Sequence, residues 1–263
     1  MRGAKRGAAS SKPAWTLAST IPTIGVFAAP PARPSRLSRL RHWLLQRASH
    51  FDAPLLLRCV LVDLVFIAAH LVHNHASWLP DHRLSIEHDR GYAEIFQYFK
   101  EIGILLLLGR IGFAQRSPLF IAWSLLFLYV LADDALSLHE TWGLAMAQSF
   151  SLEPMMGLRG ADLGELAATT LAVSGLLMLV GITYRPAPVA LRAVSVDLVA
   201  LLAALACCGV VFDMLHIAAP LGVPRAIYAL VEDGGEMLVM SLVLARVAGA
   251  RFIFGQASRC CAS

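Results

Sequence analysis

"SPLFIAWSLLFLYVLADDALSLHETWG", residues 117–143, decides how the rest of the chain is read. The run from Leu119 to Ala132 is free of charge, and then Asp133, Asp134, His139 and Glu140 follow in close succession. An apolar helix needs about 20 residues to cross a bilayer. Ionisable groups inside it cost about 3 kcal/mol each on insertion scales. These four side chains therefore need a protein interior or a watery face, which points to one helix of a bundle.

The totals agree. Of 263 residues, 57% are hydrophobic and only 15% charged, where a soluble domain carries about a quarter charged residues. Six stretches are expected to span: Pro54–His73, Glu94–Ile111, Leu119–Leu138, Leu163–Thr183, Val194–Ala218 and Ile227–Val247. The expected fold is all-α, a polytopic membrane helix bundle of six transmembrane helices occupying residues 54–250. No internal repeat marks inverted halves. The pI near 8.9 is no sign of a nucleic-acid partner, because the excess Arg sits in the tail and short loops.

Residues 1–35, rich in Arg, Ala, Ser and Pro, read as a disordered basic tail. Over residues 36–50, Leu37, Leu40, Trp43 and Leu44 recur at helical spacing between arginines, the pattern of an interfacial amphipathic helix. Residues 251–263 read as a cytoplasmic tail. Lys and Arg mark cytoplasmic loops, and nine of them precede the first span. Arg110, Arg116, Arg185 and Arg192 then fall on the same side, so both termini are expected inside, in a bacterial plasma membrane.

With that topology the polar residues of all six spans collect in the outer half of the bilayer. His70 and His73 end the first span; Glu94, Gln97, Lys100 and Glu101 begin the second. The third leaves through Asp133, Asp134, His139 and Glu140, and the fourth enters through Asp162 and Glu165. Asp213 and His216 end the fifth, and Glu232, Asp233 and Glu236 begin the sixth. Pairs three, four or seven apart share a helix face. On a continuous helix Asp133, Ser137 and Glu140 share one face, with Asp134 and His139 flanking it. Asp63, seven before His70, extends that histidine's face toward an otherwise apolar inner half.

So many acids need a compensating charge, from protons, water or a bound metal. Imidazole with carboxylate is the usual ligand set for zinc or iron. The expected metal ligands are Asp133, His139, Asp213, His216, Glu236 and His70, with Glu140 or Glu232 as general base. The dull alternatives are a salt bridge from Asp133 or Asp134 to Lys100 or Arg159, and helix-start roles for Glu94 and Asp162. Gly234 and Gly235 mark either close helix packing or room for a ligand. Cys59, Cys207 and Cys208 read as small apolar filler, with soft-metal binding by the vicinal pair as the alternative.

The segments "GYAEIFQYFKE", "LFLYVLADDALSLHE", "FDMLH" and "VEDGGEM" resemble those of bacterial multi-pass membrane proteins over about residues 55–250, a resemblance that implies no activity. In site chemistry the array is loosely similar to intramembrane zinc hydrolases of the alkaline ceramidase and adiponectin-receptor type. Those use seven spans and a late H-x-x-x-H, which this chain lacks. The leading expectation is a metal-dependent membrane enzyme, a zinc hydrolase or a di-iron oxidase, acting on a lipid or amphiphile. The alternatives are a proton- or cation-coupled transporter or channel, and a non-catalytic assembly subunit.

Overall fold

The computed structural model describes residues 50–75, 80–218 and 225–260, without the side chains of His216, Ala218, Arg225, Ala226 and residues 251–260. The tail and amphipathic helix expected over residues 1–49 lie outside the described residues. Helix α1 is Ala53–His75, α2 Tyr92–Ala114 and α3 Pro118–Leu136. Next come α4, Leu138–Phe150, and α5, Gly160–Tyr184. Helix α6, Val189–Ala206, runs through a π-helical segment, Cys207–Phe212, into the short α7, Asp213–Ala218. Helix α8, Arg225–Cys260, closes the bundle. Among the described residues there is no strand, only an isolated bridge between Met155 and Leu158.

Four helical segments are long and apolar enough to cross a membrane: Ala53–His75, Pro118–Leu136, Gly160–Tyr184 and Val189–Leu215. Helices α2 and α8 carry more charge, and their place explains how they tolerate it. Helix α8 packs on α1, α2 and α6, while α2 also pairs with α3. Lys100 and Glu101 of α2 and Arg246 of α8 are buried among other helices.

The distribution of side chains is inverted relative to a protein in water. Leu57, Val65, Leu106, Leu171 and Ile182 are exposed, whereas Asp63, His70, Lys100, Glu101, Asp162 and Arg246 are buried. A bundle in lipid has this distribution, since hydrocarbon accepts Leu and Val but not ions. A large apolar cluster of Ile104, Leu108, Phe120, Trp123, Phe127, Leu198, Met240 and Val243 fills the centre. The Trp123 indole donates to Ser195 Oγ at 2.8 Å, so its N–H is not stranded there.

The third expected span is not one continuous helix. Ser137 has φ 48° and ψ 49°, a left-handed conformation that ends a right-handed helix and turns the chain. Helix α4 starts at the next residue and pairs with α5, where Gly143 and Gly164 meet backbone to backbone. Any side chain there would push the two helices apart. This break overturns the expectation that Asp133, Ser137 and Glu140 share one face, since that spacing holds only on an unbroken helix.

Candidate functional site

The centre of the acidic region is Glu101, on the buried face that α2 also builds from Gln97, Lys100, Ile104 and Leu108. Glu101 has no exposed surface. Neither of its carboxylate oxygens receives an N–H or hydroxyl donor from the described residues. Its acidic neighbour is Asp134, near the end of α3. Two carboxylates this close in an interior repel unless a proton or another cation lies between them. Glu236 of α8 is a further acidic neighbour of both. One turn above Glu101, the side-chain oxygen of Gln97 is also buried without a donor.

The cluster extends outward. Tyr98 donates its hydroxyl to Glu94 and reaches the Asp134 backbone carbonyl at 3.3 Å. Beyond Glu236 the acidic neighbours are Asp233, Glu232 and Asp213. Glu236 also lies against the π-helical segment, where the absence of a side chain at Gly209 makes room for its carboxylate. A π-turn widens a helix locally and recurs at functional sites.

Asp133 has a different task. Its Oδ1 accepts the backbone N–H of His139 at 2.7 Å and lies 3.3 Å from the ring Nδ1. It thereby holds the start of α4 across the Ser137 break. The hydrogen bond that the ring donates to Asp133, together with that residue's negative charge, pushes the His139 pKa above the usual histidine value. Glu140 and Glu165 are its other acidic neighbours, and Glu140 is exposed.

The expected ligands are therefore divided. Asp133 and His139 sit at the α3–α4 break. Glu236 is an acidic neighbour of Glu101, and Asp213 is an acidic neighbour of Glu165, Asp233 and Glu236. His70 is elsewhere. Its Nδ1 accepts the Ile86 N–H at 3.3 Å and meets Ser85 Oγ at 3.1 Å, and its Nε2 lies 3.0 Å from the Asn74 side-chain amide nitrogen. That ring anchors the loop after α1, and its ionisable neighbours are Glu87 and His73. The His216 side chain lies outside the described residues. Among the described residues no three His, Cys, Asp or Glu side chains converge as a metal-ligand set. The general bases expected at Glu140 and Glu232 flank the two groups, Glu232 beside Asp233 and Glu236.

Two buried ion pairs lie deeper. Lys100 Nζ donates to Asp63 Oδ1 at 2.9 Å, to the Met237 carbonyl at 2.8 Å and to Ser241 Oγ at 3.4 Å. Ser241 donates to Asp63 Oδ2 at 2.5 Å. Lys100 thus pairs with Asp63 and not with Asp133 or Asp134, while Arg159 pairs with Asp162 at the start of α5. Closer to the other face, Arg246 Nε donates to Asp197 at 2.8 Å with almost no exposed surface. The double glycine of α8 serves packing: a Cβ on Gly235 would fall 2.8 Å from Cys208 Sγ, and one on Gly234 would touch Ile67.

A family model described as "Domain of unknown function (DUF8692)" matches residues 58–249, more than half of the chain. The chain belongs to this family. The match takes in every member of the carboxylate cluster and both deeper ion pairs. No curated protein and no solved structure matches the chain.

Glu101 and Asp134 were visible in the sequence as polar residues of their spans but not as the centre of a site. The available signal was the i, i+4 pair Gln97 and Glu101 on the face that continues into Ile104 and Leu108. Glu101 itself sits on the deeply buried side of α2.

Proposed function

We propose that the protein is a six-span membrane protein of the bacterial plasma membrane, both termini cytoplasmic, that acts as a cation-coupled transporter or channel. The cation, a proton in the simplest case, binds at Glu101, Asp134 and Glu236. One observation carries this reading: Glu101 is fully enclosed, lacks any donor to either oxygen and faces a second carboxyl group. Three acids from three helices in that setting need a cation between them.

The buried polar contacts along α8 favour transport over a closed structural network. Glu236, Ser241 and Arg246 follow one another at about 7.5 Å intervals, Glu236 half-buried and the other two in the protein interior. Asp63 and Lys100 join at Ser241, and Asp197 at Arg246. The inner half thus has the ionisable groups that its apolar sequence concealed. In proteoliposomes with an imposed pH gradient, wild type is expected to conduct protons, and Glu101→Gln and Glu236→Gln to lose most of that flux. Undiminished flux in both variants would refute the assignment.

A second reading rests on Asp133 and His139. This mixed carboxylate–imidazole pair, with Glu140 and Glu165 as neighbours, offers zinc or iron its usual donors at the outer end of α3. In that case the chain is a metal-dependent hydrolase or oxidase acting on a lipid or amphiphile. Elemental analysis separates the two: a stoichiometric transition metal lost in His139→Ala supports the enzyme, and its absence from wild type sinks it.

A further inference from the structure

The turn from α2 to α3 carries a feature unrelated to the carboxylate cluster. The Ser117 N–H donates to the Gly112 carbonyl at 2.8 Å and the Arg116 N–H to the Phe113 carbonyl at 3.2 Å. This paired closure requires a left-handed residue at its corner, normally glycine. Here the corner is Arg116, with φ 47°, an exposed guanidinium kept where glycine would be less strained. Beside it lies a groove of about 470 Å³, lined by Gly112, Phe113, Ser117, Ile121, Leu125 and Leu179.

Ser117 is 5% exposed, and its hydroxyl has no hydrogen-bond partner among the described residues. It stands at the N-cap of α3 yet makes no capping bond, and Pro118 beside it has no N–H. Thr183, at the rim, already gives its hydroxyl to the Leu179 and Val180 carbonyls. Three features suited to an anion therefore meet at the groove mouth: the positive end of α3's dipole, the Arg116 guanidinium and the lining residue Ser117, whose hydroxyl is buried just beneath the surface without a partner among the described residues. Below the mouth the lining is apolar down to Leu125. That residue is eight positions along α3, about 12 Å, close to half of the roughly 30 Å hydrocarbon core.

We propose that this groove binds one anionic phospholipid, its phosphate on Arg116 and Ser117 and an acyl chain lying along Ile121, Leu125 and Leu179. Charge complementarity selects a negatively charged headgroup, and the depth of the groove selects a chain-bearing ligand. The site requires only that α3 cross the bilayer, so it stands or falls apart from the cation reading.

The test uses the full chain, purified in detergent and titrated with phosphatidylglycerol or phosphatidylcholine of identical chains, read by thermal stability and by native mass spectrometry. Wild type should retain phosphatidylglycerol and be stabilised by it, and respond far less to phosphatidylcholine. Arg116→Gln should weaken phosphatidylglycerol about fivefold. Ser117→Ala should weaken it without lowering the lipid-free melting temperature, whereas a purely structural serine would leave affinity unchanged. Leu125→Trp, at a half-exposed position, should block the groove, with Leu179→Trp as a second blocking variant on α5. Equal response to the two lipids, full affinity in both tryptophan variants, or full stabilisation by glycerol phosphate alone would each overturn the site.

Discussion

Removing the ammonium of Lys100 while leaving Asp63 in place should be among the most damaging single changes in the bundle. Lys100 Nζ lies 2.9 Å from Asp63 Oδ1 and 2.8 Å from the Met237 carbonyl, and both charged residues are almost fully enclosed. In Lys100→Met the Asp63 carboxylate keeps only the Ser241 hydroxyl. Breaking a buried pair from one side costs about 3–5 kcal/mol, because an uncompensated charge stays in a low-dielectric interior. At about 2–4 °C per kcal/mol for a chain of this size, the melting temperature should fall by on the order of 10 °C. Asp63→Asn/Lys100→Met should recover most of that loss. The introduced asparagine retains the Ser241 contact, and the methionine fills the volume of the lysine stem, so the double variant should lie within about 1 kcal/mol of wild type. Thermal unfolding of the four proteins in one detergent gives the cycle. Additive effects, or a Lys100→Met variant as stable as wild type, would refute the view that the pair is a buried, mutually dependent unit. Flux by the restored double variant then tells whether the pair also belongs to the cation path.

The glycines make a matched set of tests. Gly164→Ala puts a methyl against the Gly143 carbonyl, backbone against backbone, and should cost about 2–3 kcal/mol. Gly175→Ala, on the same helix with nothing within 4 Å, should stabilise by up to about 1 kcal/mol. Gly209→Ala drives a methyl into the Glu236 carboxylate, the movable end of its side chain. It should disturb proton flux more than melting temperature, and flux equal to wild type would count against Gly209 as the seat of Glu236. The His139–Asp133 contact raises the histidine's folded-state pKa above its unfolded value. Its contribution should therefore be full below about pH 6.5 and fade as pH rises through the higher folded-state pKa. With the ring 36% exposed, that contribution should stay below about 1 kcal/mol. Melting curves of wild type and Asp133→Asn across that window measure it.

A membrane bundle was legible because hydropathy is a local property: a run of about 20 apolar residues must find lipid or a core wherever the chain goes. Helical character and the collection of acids at one end of the spans were legible for the same reason, since both follow from counting along the chain. The break at Ser137 was not, because a left-handed serine has no strong local signal. Its consequence was large: Asp133 holds the His139 N–H across the break instead of sharing a helix face with Glu140. The pairing of Lys100 with Asp63, 37 positions apart, and of Arg246 with Asp197 also needed the tertiary structure. Spacing places two residues on one helix face, but the rotation of each helix against its neighbours decides which charges meet. So composition and periodicity by themselves determined that ionisable groups must be sheltered inside a helical membrane bundle. Only the packing decided that Glu101 lies at their centre without a donor, because burial and hydrogen-bond satisfaction belong to the assembled interior.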